Sequence, residues 1–177
     1  MVSPSLFNPM KKRIIMKRAM AATMLGFLWA TLAMAAPMAT PAPPMVVEIR
    51  LDADPRKALE ARTGKDVRVT TAEPTRFKVL PGLKDPSYVS LEAVGHTGCY
   101  LHHQKFVMYL HQRPRTTNVT FEGDVSFTLV HLDGEKVRFE PSTWHGYFIT
   151  ARSDGSVIIA RDPSLEESTF ILKQVRD

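Results

Sequence analysis

Two polar residues in the middle of the sequence carry the side chains needed to hold a neutral, hydroxyl-rich ligand. His103 ends a run that reads YLHH, and Asp124 precedes the run SFTLV. An ionised carboxylate accepts charge-assisted hydrogen bonds from hydroxyl groups, and a neutral imidazole offers one donor and one acceptor. Tyr100 and Tyr109 are candidates for an aromatic wall over the apolar face of such a ligand. Because histidines and aspartates at strand ends also serve as turn or cap residues, the pair alone leaves both interpretations open.

Three further features could indicate a metal site or catalysis. His96, His102, His103 and His111 lie close in sequence, but their spacing matches no common zinc pattern. Cys99 has no neighbour that marks it as a nucleophile, and we interpret it as a small buried residue. A glycosidase needs two carboxylates that flank a cleft, and no segment outside the repeats described below remains to build a catalytic domain. The sequence therefore predicts no metal, no cofactor and no enzymatic activity.

Residues 1–35 have the pattern of a secretory signal peptide. A basic segment, residues 11–18, precedes an apolar run, and Ala33-Met34-Ala35 fits a signal-peptidase site. An uncleaved membrane anchor is the alternative, although the apolar run is short for a membrane-spanning helix. Cleavage near Ala35 predicts a periplasmic or secreted protein. Residues 36–45 follow as a Pro/Ala linker, and residues 46–177 remain for one folded domain.

Removal of the leader changes the charge of the protein. Residues 1–35 hold five of the 23 Lys and Arg residues and no acidic residue, which leaves 18 positive and 18 negative residues in the remainder. A net charge near zero gives no electrostatic basis for binding nucleic acid or an anionic membrane surface. With a single cysteine, the domain has no internal disulfide and depends on packing.

The remaining sequence divides into three units of similar length, residues 46–88, 89–136 and 137–177. Each unit begins with a strand of alternating apolar and polar residues: VEIR from Val47, VSLE from Val89 and VRFE from Val137. A second strand (ALEA, YLHH, YFIT), a third (VRVT, VMYL, VIIA) and a fourth centred on a phenylalanine follow in each unit. Four strands in three units predict an all-β protein with the β-trefoil fold, because one unit cannot bury its apolar face alone. A two-sheet sandwich is the alternative.

The motifs YLHHQKFVMYLHQ and GDVSFTLV, with KVLPGLKDPSYVSLEAV before them, resemble a known family. They are similar to the arabinose-binding (AbfB) domain of α-L-arabinofuranosidase B, carbohydrate-binding module family forty-two. This resemblance implies a β-trefoil in which each competent unit binds one arabinofuranose through a histidine and an aspartate. Carried over, it assigns His103 and Asp124 to the middle unit. It sets Thr150 and Glu167 at these positions in the third unit, and Ala61 and Pro74 in the first. One sugar site is therefore expected.

Two functions from different classes remain open at this point. The first is non-catalytic binding of arabinofuranose side chains in hemicellulose by a monomeric, exported domain. The second is a protein-interaction module that binds a partner through residues 111–123 and binds no sugar. Sugar binding requires that His103 and Asp124 converge on one cavity, whereas loop-mediated binding does not.

Overall fold

The computed structural model describes residues 44–175, so the predicted leader and residues 36–43 of the predicted linker lie outside the described residues. The first repeat contains β1 (Met45–Leu51), β2 (Ala58–Glu60), β3 (Arg68–Thr70) and β4 (Arg76–Pro81). The second contains β5 (Val89–Ala93), β6 (Cys99–Gln104), β7 (Val107–Gln112), α1 (Val119–Asp124) and β8 (Phe127–His131). The third contains β9 (Lys136–Pro141), β10 (Tyr147–Ala151), β11 (Val157–Arg161), α2 (Leu165–Ser168) and β12 (Phe170–Gln174). Each of the twelve predicted strands is thus present, and β1 begins at Met45, a residue predicted as linker.

Six of the strands close a barrel. β1 pairs with β4 and β12, β5 pairs with β4 and β8, and β9 pairs with β8 and β12, all antiparallel. The other strands form three hairpins, β2–β3, β6–β7 and β10–β11. A barrel with one hairpin per repeat is a β-trefoil, so the predicted fold is confirmed. The sandwich alternative is wrong, because the barrel strands pair in a closed ring.

The register of the barrel repeats three times. Val47 lies opposite Phe77, and Val89 and Val137 lie opposite the corresponding phenylalanines of their own repeats. Alternation along each strand turns these side chains inward, where they fill the barrel. The largest fully buried side chains are Phe77, Phe127, Phe139, Phe170, Ile49, Leu59, Leu91, Leu101, Met108, Leu110, Ile149 and Ile159.

Two short helices depart from the all-strand prediction. α1 precedes β8, and α2 precedes β12 at the corresponding place in the third repeat. With six and four residues, both are too short to show a helical period of apolar residues in the sequence. Among residues 44–175, no helix is long and apolar enough to cross a membrane.

Candidate functional site

Asp124 is the last residue of α1, and polar side chains fix this helix at both ends. The Asn118 side chain accepts a hydrogen bond of 3.0 Å from the backbone N–H of Phe121, which caps the first turn. At the other end, the Ser126 hydroxyl donates to the carbonyl oxygen of Glu122 at 2.7 Å. These contacts satisfy backbone groups that a helix end leaves unpaired. They hold Asp124 at a defined position next to the barrel.

The loop between β4 and β5 supports the same helix end. The Lys84 backbone N–H donates to the Ser126 hydroxyl at 3.1 Å, and the Lys84 ammonium donates to the carbonyl oxygen of Ser142 at 3.3 Å. The Ser142 hydroxyl in turn donates to the carbonyl oxygen of Gly123 at 3.0 Å. Gly82 allows this loop to close, since a Cβ there would lie 2.6 Å from a backbone oxygen of the same loop. The sequence KVLPGLKDPSY therefore forms a brace for the Asp124 segment.

The hydroxyl of Thr143, from the third repeat, joins the two predicted site residues. His103 Nε2 lies 3.0 Å from Thr143 Oγ1, and the Thr143 hydroxyl donates to Asp124 Oδ1 at 3.3 Å. A hydroxyl has one proton, so Thr143 Oγ1 accepts from His103, which carries its proton on Nε2. His103 Nε2 and Asp124 Oδ1 are 3.4 Å apart. The structure therefore brings the predicted pair together, with Thr143 between them as a member that sequence reasoning missed.

A cavity of about 300 Å³ opens beside Asp124. Its other described lining residues are His102, Gln104, His111, Gln112, Asn118, Thr120 and Phe121. His103 is 3% exposed and is not among these residues. A ligand in this cavity would therefore contact Asp124 directly, while His103 acts from behind through Thr143.

The aromatic wall of the cavity differs from the prediction. Neither Tyr100 nor Tyr109 is among the described lining residues. Tyr100 is buried in a small apolar cluster with Phe121, and the ring of Tyr109 stacks on the ring of His111 at a centroid distance of 5.1 Å. The wall is Phe121, against which the imidazole of His102 stacks at 5.1 Å. The tyrosines instead support Phe121 and His111.

His102 and His111 form a second polar pair, which the sequence showed only as a cluster of histidines. Their Nδ1 atoms are 2.9 Å apart, so one ring donates and the other accepts. His102 Nε2 lies 3.8 Å from Asp124 Oδ2, which is too long for a direct hydrogen bond. A ligand hydroxyl placed to one side of the line between these two atoms can contact both. Strand alternation places Tyr100 and His102 on one face of β6, but the pairing with His111 also requires the register of the β6–β7 hairpin.

Burial determines the protonation of the site. It lowers the pKa of both His102 and His103 to about 4. For His102, burial and the neighbouring His111 outweigh the opposing attraction of Asp124. Burial also raises the pKa of Asp124, against the opposing effects of His102 and the Thr143 hydrogen bond. At neutral pH the site therefore presents one carboxylate and neutral imidazoles, which suits an uncharged ligand rich in hydroxyl groups.

The threefold symmetry shows what occupies the corresponding positions in the third repeat. The Glu92 carboxylate accepts from the Gly98 N–H at 2.6 Å, and the Glu140 carboxylate accepts from the Gly146 N–H at 2.7 Å. These matched contacts show that Gly98 and Gly146 occupy equivalent positions. Counted forward by the same number of residues from each glycine, Ala151 occupies the position equivalent to that of His103. The expectation that Thr150 occupies it is wrong by one residue, because the sequence alignment matched Tyr100 to Tyr147 instead of to Phe148.

The two other repeats lack all three members of the central group. At the site equivalent in the third repeat, Ala151 and Glu167, with Ala53 from the first repeat, stand in place of His103, Asp124 and Thr143. At the site equivalent in the first repeat, the three positions hold Ala61 and Pro74, with Gly95 from the second repeat. Ala151, Glu167 and Ala53 line a larger cavity of about 810 Å³. The two alanines leave open the space that His103 and Thr143 fill at the equivalent site of the middle repeat.

The histidine cluster does not form a metal site in the part of the chain that the structure describes. No group of three or more histidine, cysteine, aspartate or glutamate side chains within residues 44–175 is arranged to hold a metal ion. Cys99 is buried, and its Sγ lies 3.1 Å from Gln112 Oε1.

Comparison with known proteins places this arrangement in a family. Residues 54–170 match the model of the alpha-L-arabinofuranosidase B (ABFB) domain. An α-L-arabinofuranosidase soaked with a cyclic sulfate inhibitor is 16% identical, with a TM-score of 0.64 over 76% of this chain and 32% of that chain. An arabinofuranosidase complexed with arabinofuranosyl-alpha-1,2-xylobiose is 17% identical, with a TM-score of 0.63 over 75% of this chain and 31% of that chain. The designed threefold-symmetric protein ThreeFoil is 12% identical, with a TM-score of 0.59 over 73% and 99% of the two chains. A comparison with curated proteins returned no match.

At these identities the solved structures show a shared fold, and the chain spans about a third of the length of the two arabinofuranosidases. The family match rests on the sequence itself and covers more than half of the 177 residues. The matched domain is the carbohydrate-binding, non-catalytic part of those enzymes. The chain therefore belongs to the alpha-L-arabinofuranosidase B (ABFB) domain family.

Proposed function

We propose that this domain binds L-arabinofuranose side chains of hemicelluloses such as arabinoxylan and arabinan through one site, at Asp124 in the middle repeat. The observation that carries the proposal is the Asp124 carboxylate, which is fixed at the end of α1 and faces a cavity lined by neutral donors and acceptors. The arabinofuranosidase complexed with arabinofuranosyl-alpha-1,2-xylobiose supports this class of ligand.

Each part of the cavity has a role in this proposal. Asp124 Oδ2 accepts hydrogen bonds from sugar hydroxyls, and His102 Nε2 faces the same space. Phe121 contacts the apolar face of the ring. His103 is a positioning residue, because it orients Asp124 through the Thr143 hydroxyl. One small site of this kind binds weakly, with a dissociation constant of about 1 mM, or roughly 4 kcal/mol.

The biological setting belongs to the same proposal. The predicted signal peptide, residues 1–35, directs the domain to the periplasm or the extracellular medium. There it acts as a monomer that binds polysaccharide and catalyses no reaction. With the other two repeats altered at all three positions, the domain has no avidity from several sites on one polymer.

Replacing Asp124 tests the function directly. Asp124→Asn keeps the shape of the side chain but removes its charge, and we expect affinity for arabinofuranosyl oligosaccharides to fall at least about tenfold, as for a lost charge-assisted hydrogen bond. The matched control is Glu167→Gln, which makes the same chemical change at the corresponding position of the third repeat and should bind like wild type. The measurement is a titration followed by amide chemical shifts in NMR.

Two outcomes would overturn the proposal. One is equal binding by the Asp124→Asn variant and the wild type. The other is an absence of shifts in the wild type at tens of millimolar ligand, which corresponds to about 2 kcal/mol at best. The second outcome would direct attention to the alternative, in which residues 111–123 bind a protein partner.

Gly123 offers a test of the role assigned to Thr143. A Cβ at Gly123 would lie 2.8 Å from Thr143 Cγ2, so alanine forces the threonine side chain to turn away from His103 and Asp124. We expect Gly123→Ala to weaken sugar binding about fivefold through the lost hydrogen bonds, with little change in stability, since alanine favours the helix by about 1 kcal/mol. Isothermal titration of single and double variants measures this. In a Thr143→Ala background the Gly123→Ala change should have no further effect on affinity, and an additive effect would contradict the mechanism.

A further inference from the structure

Three aromatic rings form an exposed surface that the site described above does not use. Phe106, Trp144 and Tyr147, here called the aromatic platform, have ring centroids 5.1 to 5.8 Å apart. Phe106 and Trp144 are each 43% exposed, whereas Tyr147 is half-buried and packs on the barrel core. Tyr147 therefore anchors the group, and the other two rings are partly exposed to solvent. Exposed aromatic groups of this kind mark binding surfaces more often than isolated apolar residues do.

The backbone holds Phe106 in an unfavourable conformation. Lys105 and Phe106 form the two-residue turn between β6 and β7, and their φ angles are +49° and +68°. A turn with two positive φ angles favours Asn-Gly, and a bulky side chain there is a genuine outlier. The carbonyl oxygen of Phe106 accepts a hydrogen bond of 2.8 Å from Ile159, which fixes the turn against the third repeat. The chain therefore maintains an aromatic side chain where glycine would be less strained.

The residues of the platform directly follow residues of the candidate site in the sequence. Trp144 directly follows Thr143, whose hydroxyl lies 3.0 Å from His103 Nε2. Phe106 follows Gln104, a lining residue of the 300 Å³ cavity, by two positions. With consecutive Cα atoms about 3.8 Å apart, the Cα atoms of Trp144 and Phe106 lie within about 8 Å of those of Thr143 and Gln104.

We propose that the aromatic platform stacks against a neutral pyranose ring of the main chain to which the furanose in the Asp124 cavity is attached. This inference rests on the proposed function. A pyranose whose hydroxyls are all equatorial has an apolar face that fits flat on an aromatic ring, while its hydroxyls point sideways to solvent, Lys105 or His145. The side chain of His145 is 78% exposed beside Trp144 and can reach such hydroxyls. The domain thus recognises a branch point, with the furanose in the cavity and the main chain on the platform.

The test compares two ligands on three variants. Wild type should bind a xylo-oligosaccharide carrying one arabinofuranose about fivefold more tightly than it binds methyl α-L-arabinofuranoside, as expected of one aromatic contact. Trp144→Ala and Phe106→Gly should lose this preference and keep the affinity for the free furanoside. Phe106→Gly also removes the backbone strain, so its stability should equal or exceed that of wild type. Leu132→Ala, which removes another apolar side chain, 44% exposed, is the matched control and should behave like wild type.

The possible results distinguish failure of the platform proposal from failure of the proposed function. Equal affinity of wild type for the two ligands, or an unchanged preference in both platform variants, would overturn the inference. Failure of the proposed function appears differently, as no binding of the free furanoside at any concentration tested. In that case an unbranched xylo-oligosaccharide still tests the platform, because its binding should shift the indole N–H resonance of Trp144 in wild type. No shift of that resonance would then overturn the platform as well.

Discussion

Acidification from pH 7 to pH 4 is expected to remove several kcal/mol of the domain's stability. His102 and His103 are 6% and 3% exposed and have pKa values lowered to about 4, against 6.5 for an unperturbed histidine. Between these values the unfolded chain binds more protons than the folded one, so the free energy of unfolding falls as the pH falls. The contribution is complete above pH 6.5 and is lost on the way to pH 4. At about 1.4 kcal/mol per pH unit, each histidine accounts for roughly 3 kcal/mol.

Aspartates with shifted pKa values also change how the stability depends on pH. The raised pKa of Asp124 works in the opposite sense, because the folded state then binds its proton more readily and regains some stability in acid. Asp54, Asp85 and Asp154 have lowered pKa values through hydrogen bonds to neighbouring side chains. Their contributions are present above pH 3.8 and are lost below it, so they act after the histidine transition. A total loss of several kcal/mol is large for a domain whose stability is of the order of 5–15 kcal/mol.

Urea unfolding at pH 7.0, 5.5 and 4.0 measures the effect. The double variant His102→Gln/His103→Gln keeps polar side chains in both places but cannot titrate, so its stability should change much less over this range. His96→Gln removes an exposed histidine and should leave the pH dependence of the wild type intact. If the double variant lost as much stability as the wild type, the buried histidines would not be the cause.

The strands could be predicted from the sequence because local patterns determine them. Alternation of apolar and polar residues identified the first strand of each repeat, and the recurring phenylalanines identified the fourth. The barrel then follows from repetition, since three equivalent units pair in equivalent registers. The position of Asp124 three residues before Phe127 is a local feature too, and a motif could find it.

The rest of the site depends on contacts between distant parts of the chain. Thr143 is forty residues from His103, and nothing in the sequence around it indicates that its hydroxyl meets Asp124. The pairing of His102 with His111 follows from the register of the β6–β7 hairpin, which was not known from the sequence. The error at Ala151 has a similar origin, because β10 begins with a tyrosine one position earlier than the tyrosine of β6. A one-residue shift turns a strand's side chains to the opposite face, so hydrogen bonds to Glu92 and Glu140 were needed to correct it.

The three repeats are equivalent in the barrel core but differ at the candidate site. Core mutations should therefore have the same effect in each repeat, whereas site mutations should not. Phe77, Phe127 and Phe170 are 0% exposed and occupy equivalent places in the barrel. Truncation of any of them to alanine should destabilise the domain by about 3–5 kcal/mol, from lost burial and the cavity left behind. Leu132→Ala, at an exposed position, should change stability by less than about 0.5 kcal/mol.

The three phenylalanine variants distinguish a symmetric core from one built around the functional repeat. In a symmetric core the three free energies of unfolding, measured by urea denaturation, fall by similar amounts, although only Phe127 follows the aspartate that we propose to bind sugar. If Phe127→Ala alone were severe, the middle repeat would dominate folding as well as binding. We expect equal losses, because each phenylalanine is fully buried and has the same register partner, a valine of its own repeat that packs in the core. The packing that closes the barrel needs core residues from all three repeats, whereas the proposed sugar site is complete at only one of the three equivalent positions, so Ala151 and Ala61 can replace a histidine without loss of the fold.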